Sequence, residues 1–198
     1  MAQISENISE IIKKPTKILE ELYYAIAASV ILALLVLLAF NLKLLGMETY
    51  WAGFFVFLHV VSGITWIGLL YYFNLVQIPT MPKIPAELKP AIGKFIAPEA
   101  LFWFRWAALS TVITGLIVFA LYTKAAPSVT IYLGMLLGLI MAYNVWFIIW
   151  PNQQKALGLV PADDAEKAKA ARVAMLTSRI NTVLSLPMLY CMVLQRFT

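Results

Sequence analysis

The residues best suited to chemistry lie in the stretch His59–Asn74, inside the apolar run Tyr50–Val76. His59 is the only histidine of the sequence, so any histidine chemistry is confined to this stretch. At 100° per residue, His59, Gly63 and Trp66 fall on one face of a helix. Gly63 leaves that face without a side chain, where a flat group or another helix can approach closely. An ionisable residue within an apolar span is costly to bury and is interpreted first as functional.

Three hypotheses remain open for His59. As a ligand of haem b or another metal it would use one ring nitrogen, while a hydrogen bond would orient the other. Ligation by two histidines of one chain is impossible, so a six-coordinate haem would need Met, Tyr or a partner subunit. As a proton carrier His59 would need a path of water, and as a packing residue it would bond a hydroxyl or carbonyl of another helix. We predict His59, Gly63 and Trp66 as a cofactor-binding set, with His59 as the metal ligand.

A second polar layer is predicted where several apolar runs end on one side of the membrane. Buried arginines without acceptors are costly, and no acidic residue lies in these runs to pair with them. Two inward arginines would suit an anion, because each guanidinium donates in a planar fork. Alternatively, the arginines reach towards lipid phosphate and the asparagines cap or join helices. The predicted substrate- or anion-binding residues are Asn74, Arg105, Asn144, Arg179 and Asn181.

The composition defines the class of protein. Of the 198 residues, 62% are hydrophobic and 13% charged, whereas a soluble domain carries about 25% charged residues. Because backbone groups in lipid must be paired internally, these apolar runs predict an all-α integral membrane protein. The net charge of +5 does not indicate a nucleic-acid partner, since the basic residues flank the apolar runs. A single cysteine excludes an intrachain disulfide and a CxxCH haem attachment. The sequence shows no phosphate-binding loop, dinucleotide fingerprint or paired carboxylates.

Hydropathy predicts a bundle of five transmembrane helices behind a short polar tail. Residues 1–21 form the tail, a cytoplasmic amphipathic segment that lies on the membrane surface, and residues 22–195 form one membrane domain. Five prolines in residues 77–100 favour an interrupted connection, with a short helix at 90–95 and a new span starting at Pro98. Pro151 is expected to end the fourth span. The predicted spans are 22–45, 50–76, 101–122, 129–150 and 173–194.

Basic residues predict the orientation of this bundle. If the N-terminus is cytoplasmic, 12 of the 15 lysines and arginines fall on the cytoplasmic side and 3 fall outside. This bias favours an N-in, C-out orientation. The cytoplasmic set contains Lys13, Lys14, Lys17, Lys83, Lys89, Lys94, Arg105, Lys155, Lys167, Lys169, Arg172 and Arg179, and the outer set contains Lys43, Lys124 and Arg196.

Small residues on the fourth span predict a close helix contact. Gly134, Gly138 and Ala142 recur every four residues, a spacing that lets two helix backbones approach. We predict that this ridge contacts other membrane-protein subunits.

Several motifs together resemble a known family. The segments 59–74 (HVVSGITWIGLLYYFN), 103–106 (WFRW), 144–154 (NVWFIIWPNQQ) and 178–187 (SRINTVLSLP) occur in an order similar to that of the membrane domain of the bacterial cytochrome-linked urate oxidase (urate hydroxylase) family. The resemblance covers about residues 50–192. It implies a membrane fold of the same kind and, in the family, urate oxidation with electron transfer to a fused c-type cytochrome domain. Since the sequence contains no CxxCH, we expect the membrane part without that domain.

Two functions are consistent with this resemblance. The chain is either a haem-associated or structural subunit of a larger redox complex that transfers electrons, or a stand-alone membrane enzyme that oxidises urate and passes electrons to a separate cytochrome c. An enzyme needs a polar cavity that accepts an anion, which Arg105 or Arg179 would provide. A subunit needs an apolar flank that contacts another chain. A shared fold alone does not decide between them.

Overall fold

The computed structural model describes residues 16–122 and 128–194, and within these ranges it contains helices and no strand. The chain divides into two compact units, residues 1–51 and 52–198. The predicted amphipathic helix of the tail falls almost wholly on residues 1–15, which lie outside the described ranges.

The first unit contains the most apolar helix of the chain. Helix α1 covers Lys17–Glu20, helix α2 covers Leu22–Phe40, and a 3-10 helix follows at Leu42–Gly46. The α-helix therefore ends at Phe40, about one turn before the end of the predicted span 22–45. No residue of α2 is buried within the chain, as expected for a helix that faces lipid.

The second unit is built from long helices that begin with α3 (Glu48–Tyr71), whose first residues belong to the first unit. It continues through α4 (Ala97–Tyr122), α5 (Val129–Tyr143) and α6 (Asp164–Leu194). Shorter helical pieces extend three of these helices without a break. The pieces are Tyr72–Gln77, Ile78–Thr80 and Met81–Lys83 after α3, Lys89–Ala91 and Ile92–Ile96 before α4, and Asn144–Ile149 and Trp150–Ala156 after α5.

Within the described residues, four helical segments are long and apolar enough to cross a membrane, which agrees with the predicted class. Helix α6 exists where a fifth span is predicted, but it is not among those four. Its middle carries Arg179 and Asn181 beside several hydroxyl side chains, which lower the mean hydropathy of the segment. The four segments are Leu22–Phe40, Thr49–Lys83, Lys89–Leu121 and Val129–Ala156.

The prolines interrupt the helices less than the sequence predicts. The connection after α3 is non-helical only at residues 84–88, Pro98 lies inside a helix rather than at its start, and the fourth helix continues past Pro151 to Ala156. The predicted interruption and the short helix after it are therefore present. The predictions that Pro98 starts a span and that Pro151 ends one were wrong, because a π-helical turn precedes each of these prolines, as it precedes Pro79. In that wide turn the residue before the proline bonds the carbonyl five positions back, and the helix passes the proline ring without ending. The bonds run from Ile78 to Phe73, from Ala97 to Ile92 and from Trp150 to Val145.

The core of the second unit joins α3, α4, α5 and α6. It is apolar and includes two fully buried aromatic residues, Trp66 and Phe104, each 1% exposed. Other core residues are Ile67, Leu70, Phe73, Leu101, Ala107, Ala108, Met141, Ala142, Val145, Ile149, Ala174 and Met188.

The small-residue ridge of α5 packs against α6 of the same chain. A Cβ atom on Gly134 would lie 3.0 Å from the Cβ of Cys191, and one on Gly138 would lie 4.0 Å from Met188. Ala142 is buried in the same core. The predicted close helix contact is therefore present, but it lies within the chain, so the ridge does not offer a surface to other subunits. The sequence pattern identifies a face for close packing and cannot identify which helix covers it.

Candidate functional site

His59 is held between α3 and α4. Its Nδ1 lies 2.9 Å from the carbonyl oxygen of Thr111 and 3.3 Å from the Oγ1 of Thr114. A carbonyl can only accept, so Nδ1 carries the proton and donates it to Thr111. The imidazole occupies the space above Gly115, where an added Cβ would lie 2.8 Å from its Cε1 atom. His59 therefore joins two helices through a hydrogen bond and close packing.

The neighbours of His59 on its helix face also pack against protein. A Cβ on Gly63 would lie 3.9 Å from the methyl group of Thr111 on α4. Trp66 is 1% exposed in the core, and its indole N–H has no hydrogen-bond partner among the described residues. The face predicted to accept a flat cofactor therefore contacts α4 at Gly63 and the core at Trp66. The bond from Nδ1 leaves the Nε2 of His59 as the nitrogen that could bind a metal, and haem binding stays a prediction.

Asn144 and Asn181 form a buried amide pair between α5 and α6. The Nδ2 of Asn144 donates to the Oδ1 of Asn181 at 2.8 Å. Asn181 is 0% exposed, and its own Nδ2 donates to the carbonyl of Met141 at 3.0 Å. The pair therefore joins the two helices in the apolar interior, where an unpaired amide would be costly.

Hydroxyl groups of α6 make two further bonds to α3. Asn74 donates to Ser178 at 2.8 Å and to the carbonyl of Leu70 at 2.9 Å. The hydroxyl of Tyr71 lies 3.0 Å from the Oγ of Ser185. Asn74, one residue of the predicted polar layer, is thus bonded to α6, the helix that also carries Asn181 of the amide pair.

Arg105 lies apart from the asparagines. Its guanidinium carbon is 3.2 Å from the centre of the Trp150 ring, and its Nε donates to the carbonyl of Leu101 at 3.1 Å. Trp146 donates its indole N–H to the Arg105 carbonyl at 3.2 Å. A cation stacked on an indole is a favourable arrangement that needs no anion.

The side chain of Arg179 is exposed, although Ser178 and Asn181 beside it are buried. The structure thus brings Asn144 and Asn181 into contact and ties Asn74 to their helix. It gives no contact of Arg105 or Arg179 with those asparagines among the described residues. The predicted clamp of two arginines around an anion is not assembled there.

A cavity of about 380 Å³ opens between four helical segments of the second unit. It lies at the end of the bundle that holds the connection 84–88, and we call it the four-helix cavity. No lining residue is charged. It is lined by Phe73, Gln77, Ile78, Met81, Pro82, Ile92, Gly93, Ala97, Leu101, Phe104, Ile149, Gln153, Ala156, Leu157, Ala171, Ala174, Met175 and Ser178.

Sequence reasoning did not select several of the polar residues that the structure brings together. Gln77 lies in the proline-rich segment 77–100, and Gln153, Ser178 and Ser185 lie in the family-like motifs, but none of the four is among the predicted site residues. A signal for the serines exists in their spacing, because Ser178, Asn181 and Ser185 lie at positions i, i+3 and i+7 of one helix face. The glutamines carry no comparable pattern.

Comparison with known proteins gives a family match in the C-terminal part of the chain. Residues 123–198 match the family described as urate oxidase N-terminal. No curated protein and no solved structure matches the chain. The motifs at 144–154 and 178–187 lie within the matched residues, whereas those at 59–74 and 103–106 precede them. Over α5 and α6, the helices that hold the amide pair, this chain is similar to the N-terminal membrane domain of urate oxidase.

Proposed function

We propose that the chain is an integral component of a redox assembly in a bacterial inner membrane, related to the membrane domain of urate oxidase. The observation that carries this proposal is the family match over residues 123–198, which coincides with the helices joined by Asn144 and Asn181. Five membrane spans with a cytoplasmic N-terminus belong to the same proposal and rest on the basic residues, 12 of 15 on one side.

The arginine contacts favour a component over a stand-alone urate-oxidising enzyme. Urate is an anion at neutral pH, and a buried anion needs fixed positive or donor groups. Arg105 is stacked on Trp150, and Arg179 is exposed. The four-helix cavity is lined by uncharged residues. The two arginines are therefore not arranged together around a site for the anion.

The contacts of His59 support a packing role for this residue. Its Nδ1 bonds Thr111 and its ring fills the space above Gly115. We propose that His59 positions α3 against α4 and that a haem of the assembly is held by a partner chain.

Two purifications test this proposal. The chain expressed alone should show no haem in a pyridine haemochrome spectrum and should not consume urate, with or without added cytochrome c. The tagged chain isolated in mild detergent from its native membranes should bring a haem-containing partner with it. Urate oxidation by the isolated chain would overturn the component proposal in favour of the enzyme. Haem in the isolated chain that is lost in His59→Ala would overturn the assignment of His59 to packing.

A further inference from the structure

Arg105 is stacked on Trp150 in a way that leaves most of its hydrogen-bond donors free. The face of the guanidinium lies against the indole, with 3.2 Å between the guanidinium carbon and the ring centre. The N–H groups of a guanidinium lie in its plane, and of these the one on Nε donates to the carbonyl of Leu101. The two terminal nitrogens have no hydrogen-bond partner among the described residues, and neither is buried. The outer edge of this stacked cation is therefore open to a ligand.

Tryptophans around Arg105 mark its depth in the membrane. Trp106 and Trp146 lie edge to face with their ring centres 5.5 Å apart, and Trp146 donates its indole N–H to the Arg105 carbonyl. Trp103, two residues before Arg105, is 58% exposed. Together with Trp150, these residues form a cluster of the kind found where a membrane protein passes the lipid headgroups.

The charges along α4 and the segment before it place Arg105 at the edge of the apolar layer. Lys94, Glu99 and Arg105 are followed by residues 106–122, which carry no charge. As a helix this run is about 25 Å long, close to the hydrocarbon core of a bilayer, which is about 30 Å thick. An arginine at the end of such a run reaches the headgroup level with its guanidinium. The free donors of Arg105 therefore lie where a bilayer presents its phosphate groups.

From these contacts we propose that Arg105 and the tryptophans around it form a binding site for a phospholipid. Oxygens of the lipid phosphate accept bonds from the terminal nitrogens of Arg105, a pairing that the planar fork of a guanidinium favours. The acyl chains lie along Trp106 and Ile113, exposed residues seven positions apart on one face of α4. Because the stack on Trp150 holds the guanidinium in place beforehand, little side-chain freedom is lost on binding. The site does not depend on the proposed redox assembly.

Two lipids with the same acyl chains test the role of the phosphate. Palmitoyl-oleoyl phosphatidylglycerol carries the phosphate, and palmitoyl-oleoyl glycerol lacks it. Each is titrated into the delipidated full chain in detergent, and native mass spectrometry gives the dissociation constant of the first bound lipid. We expect the phosphatidylglycerol to bind about tenfold more tightly, the effect of charge-assisted hydrogen bonds to one phosphate. Equal binding of the two lipids would overturn the proposal.

Glycerol 3-phosphate distinguishes a lipid from a soluble phosphate ester. A large excess of it should leave the first phosphatidylglycerol bound, because only the lipid also covers the exposed apolar side chains of α4. Displacement of the lipid would mean that the site takes the soluble ester, and it would overturn the assignment to a phospholipid.

Variants of two arginines locate the bound lipid. Arg105→Ala should weaken the binding of phosphatidylglycerol about tenfold and leave that of the diacylglycerol unchanged, because the donors to the phosphate are removed. Arg172→Ala is the matched control, since Arg172 is exposed on α6 and no described aromatic ring stacks on it. It removes the same charge and should bind both lipids like the parent chain. The same loss in both variants, or in neither, would refute the site at Arg105.

Arg105→Lys keeps the test decisive if Arg105→Ala does not fold. Lysine retains the charge and the aliphatic stem, but it lacks the planar fork that stacks on Trp150 and pairs with two phosphate oxygens. It should weaken the binding of phosphatidylglycerol several-fold and leave that of the diacylglycerol unchanged. Binding equal to that of the parent chain would show that a charge alone accounts for the affinity, and the stacked site would be wrong.

Discussion

At the scale of single residues, the position of the His59 ring depends on the absence of a side chain at Gly115. The ring of His59 lies where a side chain on Gly115 would have to be, with 2.8 Å between its Cε1 and the added Cβ. The glycine therefore permits the bond from His59 to the Thr111 carbonyl. A histidine that is costly to bury is retained here by a hydrogen bond across two helices.

A double-mutant cycle measures this coupling. Gly115→Ala should displace the imidazole and destabilise the chain by about 1 kcal/mol or more, through overpacking and loss of the bond to Thr111. In a His59→Ala background the same change should stabilise it by up to about 1 kcal/mol, since alanine favours the helix. Reversible unfolding in mixed micelles gives both values. If the effect of Gly115→Ala is equal in the two backgrounds, the residues are not coupled.

The amide pair is the second feature at this scale. Asn181→Ala removes the acceptor of the Asn144 amide, which is left buried without that partner. It also removes one donor to the Met141 carbonyl, which keeps its bond from the backbone N–H of Asn144. We expect a loss of about 1–3 kcal/mol in the free energy of unfolding. Asn152→Ala is the control, because Asn152 bonds only the Ile148 carbonyl of its own helix, and it should cost about 0.5 kcal/mol or less. Equal losses in the two variants would show that the inter-helix pair adds nothing.

At the scale of elements, α5 and α6 are the most closely packed pair. The backbone nitrogen of Met192 lies 3.6 Å from the position of a Cβ on Gly134, in addition to the Cys191 contact at 3.0 Å. Backbone atoms cannot move aside as a flexible side chain can. This approach places the amide groups of Asn144 and Asn181 within hydrogen-bond distance.

Gly134→Leu tests whether the ridge serves the fold of the chain or an interface with another subunit. The leucine should push α6 away and lower the unfolding free energy by about 2 kcal/mol or more. Gly68→Leu is the control, since no atom lies within 4 Å of its added Cβ, and it should be close to neutral. Loss of a complex from native membranes with unchanged stability of the isolated chain would instead support a subunit interface on this ridge.

At the scale of the whole molecule, the distribution of basic residues predicts where the termini lie. If the proposed five spans cross the membrane with a cytoplasmic N-terminus, 12 of 15 lysines and arginines lie on the cytoplasmic side and the C-terminus lies in the periplasm. Alkaline phosphatase fused after Thr198 should therefore be active, and a fluorescent protein that matures only in the cytoplasm should be dark there. The opposite pattern would overturn the five-span, N-in arrangement.

The sequence alone determined the class of this protein and the presence of its long helices, whereas several helix ends differ from the predicted spans. An apolar content of 62% and runs of about 20 apolar residues leave helices as the only way to pair the backbone in lipid. The motifs at 144–154 and 178–187 also indicated the family that residues 123–198 match. These features depend on local chemistry along the chain, so they can be derived without knowledge of the contacts between helices.

Only the tertiary structure decided which groups meet. The pattern of Gly134 and Gly138 marks a close contact but not its partner, which is α6. Likewise, an arginine near a helix end is equally compatible with an inward or an outward side chain, and Arg105 stacks on Trp150. The path of the chain past its prolines and the cavity beside Gln77 depend on how four helices pack together. Periodicity fixes the face of a helix on which a residue lies, whereas the partner of that face depends on the rotation and pairing of all helices together.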